Sequence, residues 1–177
     1  MLLRPLFLIA ALVLSLQHPA IAAVRHNDGN TDQAVSKDLE LKACGPKEKE
    51  AKYDADTDKT QHPTPDQPSD AALVYVLRPT MMAFGVQTTL AVDGEWKGVN
   101  RGNTYFFFVL PPGEHYLCSK SENRSVMTLK VEAGKTYFVQ QHIEMGFMKA
   151  RTKIDLMSEQ EGREKLKDAH LSTWKVK

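Results

Sequence analysis

The side chains that could carry chemistry are few: Cys44 and Cys118, with His26, His62, His115, His142 and His170 downstream of the N-terminal segment. A zinc site usually needs at least three protein ligands. No two of these histidines stand at the close spacing of a helical or strand metal pair, and Cys-x-x-Cys does not occur. His115 and Cys118 are three apart on an expected strand, so they point to opposite faces and do not make a nucleophile pair by themselves. His115 and His142 could meet across strands, either as ligands or as ordinary hydrogen-bonded histidines. The carboxylates are scattered singly, mostly beside lysines, as on a solvated β surface. There is no Gly-rich phosphate loop, Gly-x-Ser-x-Gly elbow or His-Glu-x-x-His. Asn123-Arg124-Ser125 would accept a glycan only in a eukaryotic secretory pathway. No catalytic residue, cofactor or metal ligand is expected.

The N-terminus says where such a chain would work. Arg4 is a positive n-region, and Leu6 to Leu16 is an apolar run broken only by Ser15. Pro19 then breaks any helix, and Ala20-Ile21-Ala22 puts small residues where a signal peptidase reads. Residues 1–22 are therefore expected to be a signal peptide released after Ala22, with an uncleaved anchor as the alternative. The run is shorter than the roughly 20 residues of a transmembrane helix, and no other segment could span a membrane. A lipid anchor would need a cysteine just after the run, where none stands. The expected location is periplasmic or secreted. In such an oxidising compartment an even pair of cysteines usually bonds, which predicts a Cys44–Cys118 disulfide; two free thiols are the alternative.

Residues 23–70 are poor in large apolar side chains and rich in Asp, Lys, Thr and Pro. Such a segment buries too little surface to offset its ordering entropy, so it is expected to be a mostly disordered tail. Val35 and Leu39, four apart, could seed one short helix. His62-Pro63-Thr64-Pro65-Asp66-Gln67-Pro68 reads as a stiff, extended linker, which sets a domain boundary near Asp70. The tail carries 7 Lys/Arg against 11 Asp/Glu, and residues 71–177 carry 15 against 11. That mild asymmetry is not the clustered basic footprint of a nucleic-acid binder.

From Ala72 the chain reads as strand after strand. Ala72–Leu77 and Tyr105–Leu110 are apolar on both faces, so the second should lie centrally between two layers. Val86, Thr88, Leu90 and Val92 alternate with smaller or polar residues, as in a half-buried strand. Asp93-Gly94 is a strong type I′ hairpin signal leading to a returning strand over Glu95–Val99. Pro111-Pro112-Gly113 and Ala133-Gly134 make further turns around strands at Glu114–Lys120 and Met127–Val131. Lys135–Ile143 and Ala150–Leu156 complete the set. Ser158 and Glu161 stand in capping-box spacing for a short helix ending near Asp168, which Gly162 weakens by about 1 kcal/mol. The fold class is mainly β: an antiparallel β-sandwich of about seven strands over residues 71–177, with one short C-terminal helix.

Three runs carry a family likeness: Val92-Asp93-Gly94 through Gly98, Leu110-Pro111-Pro112-Gly113-Glu114-His115, and Val131-Glu132-Ala133-Gly134-Lys135-Thr136-Tyr137. Together with Ala72-Leu73-Val74-Tyr75-Val76 and Gly162–Leu171, they resemble the bacterial, exported domain of unknown function 2846 family over about residues 71–172. A looser likeness is to PEGA domains, though Val99-Asn100 stands where those often have Thr-Pro. The resemblance implies a transthyretin-like or immunoglobulin-like β-domain in the bacterial envelope, and no catalytic residue. The bare residue reading of the same motifs is structural: turn glycines and strand-ending prolines.

One surface remains to be weighed. Met81-Met82-Ala83-Phe84-Gly85 and Met145-Gly146-Phe147-Met148 fall in expected connections, where polar residues are the norm. Exposed Met81, Met82, Phe84, Met145, Phe147 and Met148 would offer adaptable apolar area to a partner; turned inward, they would plug the sandwich. The expected function is that of a non-catalytic exported envelope module, binding or structural, whose partner would be another envelope protein or a cell-wall component and not nucleic acid. The alternative is a small-ligand carrier or an enzyme whose site is assembled from dispersed residues.

Overall fold

The computed structural model describes residues 37–145 and 150–177. The expected signal peptide and its cleavage point, Val35, Phe147 and Met148 lie outside the described residues. In chain order the elements are α1 (Lys37–Cys44), a 3-10 turn (Lys47–Lys49), β1 (Tyr53–Asp58), β2 (Ala72–Arg78), β3 (Thr88–Val92), β4 (Glu95–Asn100), β5 (Thr104–Leu110), β6 (Gly113–Lys120), β7 (Arg124–Val131), β8 (Thr136–Met145), β9 (Ala150–Met157), α2 (Glu159–Asp168) and β10 (His170–Val176).

The strands form two sheets, one ordered β1-β10-β5-β2-β8-β9 and the other β4-β3-β6-β7. The described chain is thus mainly β and sandwich-like, but it has ten strands rather than about seven. Beyond the eight segments whose alternation and turns mark them as strands, the structure adds β1 and β10, which pair with each other from Tyr53↔Val176 to Asp58↔Leu171. Nor is the sandwich purely antiparallel, because β2–β8 and β10–β5 pair in parallel. The cause is the path: the chain leaves the larger sheet after β5, builds β6 and β7 opposite, and returns beside β2 in the same direction.

The tail is also more ordered than its composition predicts. Residues 37–58 supply α1, the 3-10 turn and β1, and Ala43, Cys44, Tyr53 and Ala55 are buried. The composition argument fails here because the segment borrows a core. A disulfide joins Cys44 to Cys118, and α1 with β1 covers apolar surface of the sandwich. The Pro-rich stretch has no regular structure but is tied down. His62 bonds the Leu166 carbonyl at 2.8 Å through Nε2, and Gln67 Nε2 donates to the Lys135 carbonyl at 2.8 Å.

Two apolar layers explain why every residue of β2 is buried. Val74, Val76, Phe106, Leu117, Leu129 and Ile154 fill the space between the sheets. Leu73, Tyr75, Leu77, Tyr105 and Phe138 face outward beneath α2. Ser158 caps α2, its Oγ accepting from the Glu161 amide at 3.2 Å. Gly162 lets the helix approach closely: a Cβ there would sit 2.1 Å from Cγ of Phe138. The Asp93-Gly94 turn has positive φ at both residues, 51° and 82°, as a type I′ hairpin needs.

Candidate functional site

Three polar arrangements sit where the turns and sheets meet. The first joins residues of two turn motifs. Asp93, in the β3–β4 turn, places Oδ2 2.6 Å from Nδ1 of His115 and accepts the Tyr116 amide on Oδ1 at 2.8 Å. Nε2 of His115 lies 2.9 Å from the Pro111 carbonyl. With both ring nitrogens engaged, His115 ties the β3–β4 turn to the β5–β6 turn. The Gly94 amide donates to the Ala43 carbonyl at 3.1 Å, so the end of α1 joins the same clasp.

His142 does not meet His115. It lies on β8 with Nε2 3.2 Å from Oδ2 of Asp155. Cys118 lies with Ala43, Cys44 and Ala91, while Leu117 on the next position faces the core between the sheets.

The second arrangement is a polar seam inside the sandwich. Gln141 of β8 is fully buried. Its Oε1 accepts from Thr88 Oγ1 at 3.2 Å and from Asn100 Nδ2 at 3.1 Å, and its Nε2 donates to Ser119 Oγ at 2.9 Å. Ser119 Oγ is 2.7 Å from Thr152 Oγ1, and Thr104 Oγ1 donates to Asn100 Oδ1 at 2.9 Å. One amide thus links β8 to β3, β4 and β6 across the core. Such buried groups are costly unless paired, and pairing them fixes how the sheets sit on each other.

The third arrangement is Arg78, the last residue of β2 and wholly buried. Its guanidinium donates to carbonyls of the β2–β3 loop: Met82 at 2.8 Å, Ala83 at 2.7 Å, and Val86. Burial pushes its pKa down to about 10, still cationic at neutral pH. Gripped from below, this loop turns Met81 (59%), Met82 (55%) and Phe84 (48%) to solvent. Phe84 rests over Gly102, where a Cβ would approach its Cδ2 to 3.1 Å. Because β8 runs parallel to β2, Met145 (60% exposed) at its end lies at the same end of the sandwich. Met81, Met82, Phe84 and Met145 are therefore displayed, not folded in as a plug.

Charges reinforce the disulfide that holds α1. Arg124 Nη1 bonds Glu40 at 2.7 Å and Nη2 bonds Glu50 at 3.3 Å, while Lys120 also pairs with Glu50. Burial pushes the Glu50 carboxyl up, but Lys120 and Arg124 outweigh it and hold it below its ordinary value of 4.5. A lowered folded-state pKa means that this clamp contributes in full above about pH 4.5 and is lost as pH falls through the lowered value.

Sequence reasoning passed over Arg78 and Gln141. The one available signal for Arg78 was a charge closing a wholly apolar strand just before Pro79. Among the described residues, no group of three or more His, Cys, Asp or Glu is placed to hold a metal ion. No described helix is long and apolar enough to cross a membrane. A surface groove is lined by Asp54, Asp56, Arg101, Thr173, Trp174 and Lys175.

Residues 68–153 match the family described as protein of unknown function (DUF2846). That span runs from just before β2 into β9 and holds all three polar arrangements, so the resemblance carried by the turn motifs stands. No curated protein and no solved structure matches the chain significantly.

Proposed function

We propose that this relative of a family of unknown function is an exported envelope module that recognises another envelope protein through the apolar end of its sandwich. The observation that carries the reading is the Arg78-gripped loop, which holds Met81, Met82 and Phe84 in solvent at the same end of the sandwich as exposed Met145. A backbone already fixed spares the loop its own ordering entropy on contact, and thioethers adapt to varied surfaces. The N-terminal apolar run and the Cys44–Cys118 disulfide support the exported, periplasmic or secreted part of the reading. We read the body from β2 to β9 as a variant of the immunoglobulin-like or transthyretin-like sandwich, with one parallel pairing added.

The test is a photo-crosslinking residue placed at Met82 or Phe84, with Lys97 and Lys130 as control positions, in cells exporting the full chain. The expected result is one discrete adduct with an envelope protein from 82 and 84 only, abolished by Met81→Ser in the Phe84 reporter. Adducts from all four positions alike, or from none, would overturn the reading.

A further inference from the structure

We propose that two copies of this chain pair edge to edge along β5, antiparallel and about a two-fold axis at Phe108. The register of the larger sheet leads there. β2 covers one side of β5 along its whole length, from Arg78↔Thr104 to Ala72↔Leu110. On the other side β10 contributes only His170↔Thr104 and Leu171↔Tyr105 before it turns away. It then crosses to β4, where Ser172 Oγ donates to the Val99 carbonyl at 2.6 Å and Trp174 packs on Gly98. Among the described residues, no strand lies beside the rest of that edge of β5.

Alternation identifies the backbone groups left over. The Asn103 carbonyl accepts from the His170 amide at 3.0 Å, so residue 103 points toward β10. Residues 105, 107 and 109 point the same way along an extended strand. The amides and carbonyls of Phe107 and Val109 therefore face outward, and among the described residues none of them has a partner. Only another extended backbone satisfies such a row in order.

The other edges of this sheet are guarded. β1 carries Asp54, Asp56 and Asp58 at alternate positions. Side chains occupy the free backbone of β9: Asn123 bonds both the Thr152 amide, at 2.6 Å, and its carbonyl, at 3.1 Å, and Ser125 Oγ accepts from the Ile154 amide at 3.3 Å. By contrast, residues 106–110 are Phe-Phe-Phe-Val-Leu, without a charge, and Val109 is 54% exposed.

The occupant follows from symmetry. A two-fold contact must be self-complementary, and any charge near the axis meets its own copy. Pairing about Phe108 sets Phe107 opposite Val109 of the second copy, and Val109 opposite its Phe107. Both are outward-pointing residues, so all their free amides and carbonyls are satisfied in one register. The paired segment 106–110 itself brings no charged side chain to the axis. The contact is short, at the small end of specific interfaces, below about 1,200 Å², so the dimer forms only at raised concentration.

The experiment is sedimentation velocity on the full exported chain across a concentration series, beside Val109→Lys and Met82→Ser. The expected result is a monomer–dimer equilibrium for the native chain and Met82→Ser, weakened at least tenfold in Val109→Lys with unchanged melting temperature. Amide exchange on the native chain gives a reading that needs no variant: the Phe107 and Val109 amides should slow as concentration rises. A native chain that stays monomeric throughout, a dimer that survives Val109→Lys, one lost in Met82→Ser, or amides indifferent to concentration would each overturn the proposal. The last two also separate it from the apolar-end reading, which involves different residues.

Discussion

At one end of β5, Leu110 leads into a turn whose Pro111 carbonyl lies against His115, itself bound to Asp93; the Asp93-Gly94 turn in turn meets the end of α1. At the other end, Thr104 stands opposite Arg78, whose guanidinium touches only the neutral carbonyls of the β2–β3 loop. Both ends use a buried nitrogen base to hold turn backbone, but the surroundings differ. The Asp93 end spends its polar groups on one another and on a disulfide-pinned helix. The Arg78 end gathers carbonyls inward and thereby turns apolar side chains out. The first is built to stay closed, the second to present a surface.

If so, breaking the closed end should cost the most. Replacing both Cys44 and Cys118 by Ser opens a loop spanning 74 residues in sequence, for which the chain-entropy model gives roughly 4 kcal/mol. Denaturant unfolding would show it as a lower midpoint; an unchanged midpoint would mean that α1 stays docked by Arg124 and its carboxylates alone. Arg78→Met comes next. It strips three carbonyls of a charged donor and should cost about 3 kcal/mol, or roughly 10 °C in melting temperature for a chain of this size. Arg78→Lys should recover only part, because one ammonium cannot reproduce the planar fork. A full recovery would show that charge, not geometry, holds the loop. Asp93→Asn is milder, about 1–2 kcal/mol, since the amide oxygen can still accept from His115 or the Tyr116 amide. A loss as large as that at Arg78 would erase the distinction between the ends.

Much of the sandwich was legible from period-two alternation and turn chemistry: eight of its strands, the Asp93-Gly94 turn and the Ser158 cap follow from local sequence. What was not legible depended on distant partners. β1 reads Tyr-Asp-Ala-Asp-Thr-Asp, whose inward side chains are too modest to announce a strand until β10 lies beside them. Gly162 reads as a defect in α2, yet the Phe138 ring occupies the space any larger residue would need. The same holds for the polar seam. Gln141 sits on an alternating strand with no local mark that Thr88, Asn100 and Ser119 converge on it from the opposite sheet. The Asp93–His115 clasp joins two turn motifs that are each plain in the sequence, but turn propensities alone do not say that the two side chains meet.

The smallest expected effect sharpens the contrast most. Met81 and Met82 expose more than half their surface, and the structure holds the loop through backbone carbonyls rather than through these side chains. Met81→Ser with Met82→Ser should therefore shift stability by no more than about 0.5 kcal/mol, the range of ordinary surface changes, or roughly 2 °C in melting temperature. The sign could go either way, since the substitutions remove apolar area from water without opening a cavity. Binding of a hydrophobic dye to the folded protein should fall in the same variant, because two of the exposed apolar side chains at this end are gone. Calorimetry and dye fluorescence on one sample decide the matter. A loss of several degrees would place these methionines in the core and make the Arg78 end a second closed end. Near-silent stability with reduced dye binding leaves the loop as a surface held out by a buried cation, as the Arg78 contacts require.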